Sequence, residues 1–306
     1  CFRIPALTRL PNGDLLAFSE GRHPACEDHQ WNDAVMKKST DGGQTWSAVK
    51  VVHSESKGSA FVTIGNPAPV YSQTSGKVIL PLCRDNRAVL MLDSADGGDT
   101  WSAPRDLNAT LPDWTWVATG PPGGVQLPSG RLLVPADHVS SGQTGSHAML
   151  SDDDGATWQL SSLIPNGNEC QATLLPNGSV LMSMRTPQPE RQWAVSDTHG
   201  SSWAPPVRDP VIAETACEGS IVTLSSGLTV LSSAFASSRS NMTLHVSTDS
   251  GASFTPVKTV YAGSAAYSSI VALNATAVGL LYEADGYKRI VYAEVDLTAF
   301  APKHDI

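Results

Sequence analysis

The chain has 306 residues, 41% of them apolar, so it can bury a large core and falls outside the collagen-like and disordered classes. Only 16% are charged, and 25 Gly and 21 Pro stand beside abundant Ser and Thr, a composition of short strands and tight turns rather than helical bundles. The net charge of −9 speaks against a nucleic-acid partner, which would need a basic surface. No apolar run approaches the roughly 18 residues of a membrane span.

In chain order, the first predicted hairpin is Leu10-Pro-Asn-Gly-Asp-Leu-Leu-Ala, a turn followed by a strand that we expect to run along a central axis. A strand at Ala34–Lys38 then leads into Ser39-x-Asp41-x-Gly43-x-Thr45-Trp46. The theme returns. A weaker hairpin at Ser75–Pro81 and a strand at Ala88–Leu92 precede the box Ser94–Trp101. A hairpin at Leu127–Pro135 and a strand at His147–Leu150 precede the box Ser151–Trp158. A hairpin at Leu175–Met182 and a strand at Gln192–Val195 precede an eroded box, Ser196-x-Thr198-x-Gly200-x-Ser202-Trp203. A weak hairpin at Ser225–Leu231 and a strand at Met242–Val246 precede the loosest box, Ser247–Phe254. Residues 268–295 supply one more strand set without a box.

The closing aromatics of the boxes fall 45 to 57 residues apart, about one four-stranded propeller blade. Asp and Gly make the turn, the hydroxyls satisfy its amides, and the aromatic packs beneath it. Each box should therefore join two strands of one blade, and its Asp should shape the turn rather than catalyse. Counting sets gives an all-β, six-bladed propeller with Asp-box hairpins, spanning residues 1–306 as a single domain.

The five cysteines, Cys1, Cys26, Cys83, Cys170 and Cys217, include no C-x-x-C pair, so a zinc site has little support. They suit buried thiols or one or two disulfides, with at least one left over; the pairing stays open. His23 and His29 read as surface groups rather than ligands. Four Asn-x-Ser/Thr sequons, at Asn108, Asn177, Asn241 and Asn274, lean towards a secreted glycoprotein. The chain opens on Cys1, and a processed or trimmed product is expected.

The opening Phe2-Arg3-Ile4-Pro5, together with the repeated boxes, resembles the sialidases (neuraminidases) of bacterial, fungal and animal type, over essentially the whole chain. The resemblance implies hydrolysis of terminal α-linked sialic acids on glycans, glycoproteins or glycolipids by a monomer without metal or other cofactor. It implies that Arg3, Arg185 and Arg239 grip the substrate carboxylate and that Glu283 orients Arg3. Tyr267 is then the nucleophile, Glu169 its activating carboxylate and Asp28 the acid/base. Arg22 and Asn66 match positions near C4 and the acyl side of the sugar. The Val134-Pro-Ala run is followed by Asp137 and His138, where animal relatives carry tyrosines for the glycerol tail; Asp137 is the candidate contact in their place.

The chemistry suits these residue types. Guanidinium groups bind carboxylates bidentately and stay charged. A neutral phenol avoids the repulsion that a carboxylate nucleophile would meet beside an anionic anomeric centre. With a reference pKa of about 10, it needs a base. Glu27 is the rival for Asp28, and Glu218 in Cys217-Glu-Gly-Ser is the rival for Glu169. Trp114 and Trp116 read as packing residues or an aglycone platform. A preference for deaminated sialic acid (KDN), transfer to a second sugar, and a non-catalytic glycan-binding propeller are the alternatives.

Overall fold

The computed structural model describes residues 1–58, 60–108, 114–213 and 216–302. Ala109 and Thr110 of the first sequon, and Asp113 before Trp114, lie outside the described residues. Apart from a 3-10 turn at Thr298–Phe300, the regular structure is β.

The first sheet holds β1 (Phe2–Arg9), β2 (Leu15–His23), β3 (Trp31–Ser39) and β4 (Lys50–His53). The second holds β5 (Ile64–Gly65), β6 (Val70–Tyr71), β7 (Val78–Arg84), β8 (Ala88–Ser94) and β9 (Arg105–Asp106). The third holds β10 (Trp116–Thr119), β11 (Val125–Gln126), β12 (Leu132–Ser140), β13 (Gln143–Ser151), β14 (Gln159–Leu160) and β15 (Ile164–Pro165). The fourth holds β16 (Cys170–Leu174), β17 (Val180–Met184), β18 (Glu190–Ser196) and β19 (Val207–Ala213). The last holds β20 (Ser220–Thr223), β21 (Thr229–Ala234), β22 (Ser240–Ser247), β23 (Thr255–Ala272), β24 (Ala277–Ala284) and β25 (Arg289–Asp296).

All named pairs are antiparallel, and the sheets form a propeller. Five hydrogen-bonded sheets stand where the sequence reading counts six blades. The difference lies in β23. Its first half, to Ser264, pairs with β22, and its second half, from Ala265, pairs with β24. One uninterrupted 18-residue strand therefore ties two strand sets into one sheet.

The inner strands are not the ones expected. The strands that precede the second strand of each set lie on the axis, β5 with β6 and β10 with β11 each standing for one broken inner strand: β1 packs against β23 and β6, β11 against β6 and β16, and β20 against β16 and β23. The Pro-Asn/Ser-Gly turns thus lead outward, from an inner strand to the second strand. Apolar side chains fill the gaps between neighbouring sheets; Ile64 and Leu82 of the second sheet pack with Phe18 and Met36 of the first.

The boxes do more than close a hairpin. Asp41 accepts from the Thr45 amide (2.9 Å) and hydroxyl (2.5 Å), while the Gly43 amide bonds Ser39 Oγ at 2.8 Å. The boxes at Asp96, Asp153 and Asp249 repeat these bonds. Each aromatic then reaches back one sheet. Trp101 meets Phe18 edge-on at 5.7 Å, and Phe254 stacks on Trp193 at 4.7 Å. Trp46 closes the ring against Tyr292 at 5.5 Å. Gly43 sits at φ +92° with Tyr292 so close that a Cβ would lie 2.1 Å from its ring, so both its angle and its lack of a side chain are needed.

Candidate active site

Catalytic-type side chains gather at one end of the axis, where inner strands begin and second strands end. Period-2 alternation aims them there. Glu20 and Arg22 share a face of β2 two residues apart. Arg3 opens β1, Glu169 directly precedes β16, Arg185 directly follows β17, and Arg239 lies between β21 and β22. Tyr267 comes from the second half of β23 and Glu283 from β24. A cavity of about 320 Å³ is lined by Arg3, Arg22, Asp28, Asn66, Asp137, Glu169, Arg185, Arg239 and Tyr267 together. Glu283, fully buried, stands just behind this wall. A second, apolar cleft of about 390 Å³ between the first and last sheets, beside Phe18, Trp46 and Leu281, contains none of these arginines or carboxylates.

On one side of the cavity the groups are locked. Glu283 Oε1 accepts from Arg3 Nε at 2.6 Å and from the Ile4 amide at 2.9 Å, and its Oε2 accepts from the Tyr267 amide at 3.3 Å. The Arg3 guanidinium lies 3.9 Å from the ring centroid of Tyr287. Tyr267 donates its hydroxyl to Glu169 Oε1 at 2.5 Å, and Arg185 Nη1 donates to both Tyr267 Oη, at 2.9 Å, and Glu169 Oε2. Arg239 donates to Tyr287 Oη at 3.0 Å and to the Ala216 carbonyl at 3.2 Å. Burial, then the Glu169 charge, pushes the Tyr267 phenol well above its usual range, and Arg185 opposes this only in part. Tyr267 is therefore a neutral phenol, with a carboxylate already holding its proton in a hydrogen bond.

The other side is built on Arg22. Its Nε donates to Glu20 at 2.8 Å, and its Nη1 to Asp28 at 2.5 Å and to the Cys26 carbonyl at 2.8 Å. Glu20 also accepts the Asn66 amide at 2.8 Å. Burial raises the Glu20 pKa despite these bonds. Asp28 has a side chain 74% exposed. What desolvation it has works upward, but the hydrogen bond and charge of Arg22 outweigh it and hold Asp28 below the usual carboxylate range. A disulfide joins Cys1 to Cys26, so the loop carrying Asp28 is tied to the strand carrying Arg3. Cys83 and Cys170 are buried, and burial pushes the Cys83 thiol up to about 12.

Asp137 lines the cavity and is 1% exposed. Its Oδ2 accepts Asn168 Nδ2 at 3.1 Å; its Oδ1 has no hydrogen-bond partner among the described residues. Burial and the Glu169 charge raise its pKa well above that of an ordinary carboxylate. Glu218 sits behind the cavity, accepting the Ser268 amide at 2.8 Å, and makes no contact with the Tyr267 hydroxyl. Glu27 is exposed and absent from the cavity lining. Trp114 is packed, stacking on His138 at 5.0 Å, whereas Trp116 lines the cavity and meets His29 edge-on at 5.7 Å.

Sequence reasoning missed Glu20, Asn86, Asn168 and Tyr287. The Glu20-Gly-Arg22 spacing was a usable signal, since i and i+2 share a strand face. Tyr287, in a turn at φ +68°, carried none.

Residues 13–280 match the family model for the BNR repeat-like domain. The chain belongs to this family. It is 33% identical over 262 residues to Sialidase-4 of Mus musculus, covering 72% of this chain and 54% of that one. It is 28% identical over 358 residues to the exo-alpha-sialidase of Aspergillus fumigatus, covering 97% of this chain and 84% of that one. The chain spans about half the length of the Sialidase-4 relatives. Among solved structures, the Hadza microbial sialidase Hz136 superposes with a TM-score of 0.88 at 21% identity, over 97% of this chain and 66% of that one. An intramolecular trans-sialidase from Ruminococcus gnavus gives 0.83 at 17% identity, over 99% and 96%. At those identities the likeness is one of fold. No helix among the described residues is long and apolar enough to cross a membrane.

Proposed function

We propose that this chain is a retaining exo-α-sialidase acting on terminal α-linked sialic acids of glycans, glycoproteins or glycolipids. The observation that carries the reading is the Tyr267–Glu169 hydrogen bond of 2.5 Å in a cavity that Arg3, Arg185 and Arg239 also line. The arginines hold the substrate carboxylate. Tyr267 attacks the anomeric carbon as its proton passes to Glu169, giving a tyrosyl-enzyme intermediate. Asp28 protonates the departing oxygen, then takes a proton from the attacking water, and the anomeric configuration is retained. For the first of these steps Asp28 must hold a proton that Arg22 opposes; a sugar hydroxyl that takes over Arg22 Nη1 relieves the opposition.

The six-blade count rests on reading the last sheet as two blades that share β23. We take residues 1–306 as one catalytic unit, a monomer. A secreted location is supported by the sequons, of which Asn177 and Asn274 are exposed in turns. A preference for KDN stays as the second reading for one reason. Asn66, Asn86, Asp137 and Asn168 give the cavity a polar stretch of wall, which suits a hydroxyl at C5 better than an acyl methyl.

Umbelliferyl glycosides of N-acetylneuraminic acid and of KDN, assayed side by side with Tyr267→Phe as control, test both readings. Release from the first, lost in the variant, is expected. Release only from the second selects KDN, and release from neither by folded protein overturns the enzyme reading.

A further inference from the structure

Cys1 and Cys26 are joined by a disulfide, and both are exposed to solvent. Residues 24–29 are exposed throughout, and among the described residues no backbone-to-backbone hydrogen bond holds residues 24–30. Besides the disulfide, the segment is held by side chains. Arg22 reaches the Cys26 carbonyl and Asp28, Asn32 Nδ2 reaches the Asp28 carbonyl at 2.9 Å, and Thr63 Oγ1 reaches the Gln30 carbonyl at 3.0 Å. The covalent tie lies two residues before Asp28, and its other end is the start of the strand that carries Arg3. Backbone this exposed and this sparsely bonded opens locally at little cost, and a cross-link removes much of that freedom.

We propose that the Cys1–Cys26 disulfide is a positioning element for Asp28, so that protonation of the leaving group, and not attack by Tyr267, depends on the oxidised state of this pair. The asymmetry follows from what each group leans on. Arg3 is fixed by the buried Glu283 and by pairing of β1 with β2, independently of the sulfurs. Tyr267 is fixed by Glu169, Arg185 and Glu283. Asp28 alone hangs from the exposed segment. A displacement of about 1 Å in an acid catalyst is enough to cost on the order of 10²-fold. The inference rests on the sialidase reading.

Two substrates separate the steps. An umbelliferyl sialoside has a leaving group that departs with little acid help, whereas sialyllactose needs it. A dithiol reductant supplies two electrons and two protons, opens the bond to two thiols and closes its own disulfide; a mass gain of two hydrogens verifies the change. On reduction, and in Cys1→Ala/Cys26→Ala, kcat/KM for sialyllactose should fall by ~10-fold or more, a fraction of the full effect of an acid catalyst. The kcat/KM of the umbelliferyl substrate, which does not report the water step, should fall much less. In an Asp28→Ala background, removing the disulfide should cost sialyllactose turnover nothing further, since the two changes act on one step. Equal losses on both substrates, an unchanged sialyllactose rate, or additivity with Asp28→Ala would each overturn the proposal. An oxidised protein inactive on both substrates would instead reject the sialidase reading.

Discussion

The two sides of the cavity are built to different standards. In the wall of Arg3, Glu283, Tyr267 and Glu169 all but the half-buried Glu169 are buried, and Glu283 alone joins one side chain and two backbone amides from two strands. The Asp28 side rests on the Arg22, Asn32 and Thr63 side chains and one disulfide, in backbone that makes few bonds of its own. The difference matches the two kinds of work in the proposed mechanism. A nucleophile and an anion cradle gain most from a fixed, dry geometry. An acid/base that must give up a proton and then collect one from water needs solvent, and so does the departing sugar.

The sharpest way to break this comparison is at the wall. Tyr267→Phe keeps the ring and removes the attacking oxygen; a loss of ~10⁴-fold or more on every sialoside is expected, with the melting temperature held. Residual turnover within tenfold of the parent would reject Tyr267 as nucleophile. Arg3→Met leaves Glu283 buried without its cation and should destabilise the fold by about 3–5 kcal/mol as well as raise KM. Urea unfolding measures the first effect, and a change below about 1 kcal/mol would mean the wall is less braced than its bonds indicate.

On the loop side, Asp28→Ala should cut kcat/KM for sialyllactose by ~10²-fold or more while largely sparing kcat/KM for umbelliferyl substrates, which does not report the water step. Because Arg22 holds Asp28 below the usual carboxylate range, the free protein carries it as a carboxylate at neutral pH. Its protonated fraction grows as pH falls towards that depressed value. The ratio of kcat/KM for sialyllactose to that for the aryl sialoside should therefore rise on going from about pH 7 to about pH 5. The stability linkage has the opposite sense: a depressed pKa stabilises the fold above the ordinary carboxylate range, and that contribution is lost as pH falls through the folded value. A substrate ratio that stays flat with pH would remove Asp28 from the acid step.

Much of the propeller was legible because the boxes repeat, and a repeat exposes its own spacing. Arg3, Asp28, Glu169, Arg185, Arg239 and Tyr267, which line the cavity, were reached through the family resemblance that Phe2-Arg3-Ile4-Pro5 and the repeated boxes carry. What escaped has physical reasons. Nothing local marks that β23 passes from one strand set to the next without a turn, since both halves are equally extended. Which strand of a set is inner depends on contacts between sheets, and the hairpin motifs are silent on those. The Cys1–Cys26 pairing depends on β1 and β2 lying side by side, with the Arg22 amide bonded to the Cys1 carbonyl at 2.8 Å. Tyr287 reaches Arg3 and Arg239 from a turn whose sequence says nothing of either.

The smallest effect concerns the boxes, the part of the molecule that repeats where the cavity does not. Bonds from the Thr45 hydroxyl and amide and from Ser39 hold the Asp41 pKa down at about 2, and Asp153 is held at about 2 in the same way. The fourth box does the same work without charge: Thr198 Oγ1 accepts the Ser202 amide at 2.9 Å and lies 2.9 Å from the Ser202 hydroxyl. A carboxylate there would accept both groups in stronger, charge-assisted bonds. Thr198→Asp should therefore raise the urea midpoint at neutral pH. A depressed carboxylate pKa stabilises above the ordinary range near 4 and stops doing so as pH falls through the folded value, near 2 by analogy with Asp41 and Asp153. The gain should shrink across that window. A gain of equal size on both sides of it would mean that turn shape, not carboxylate charge, decides which residue a box prefers at this position.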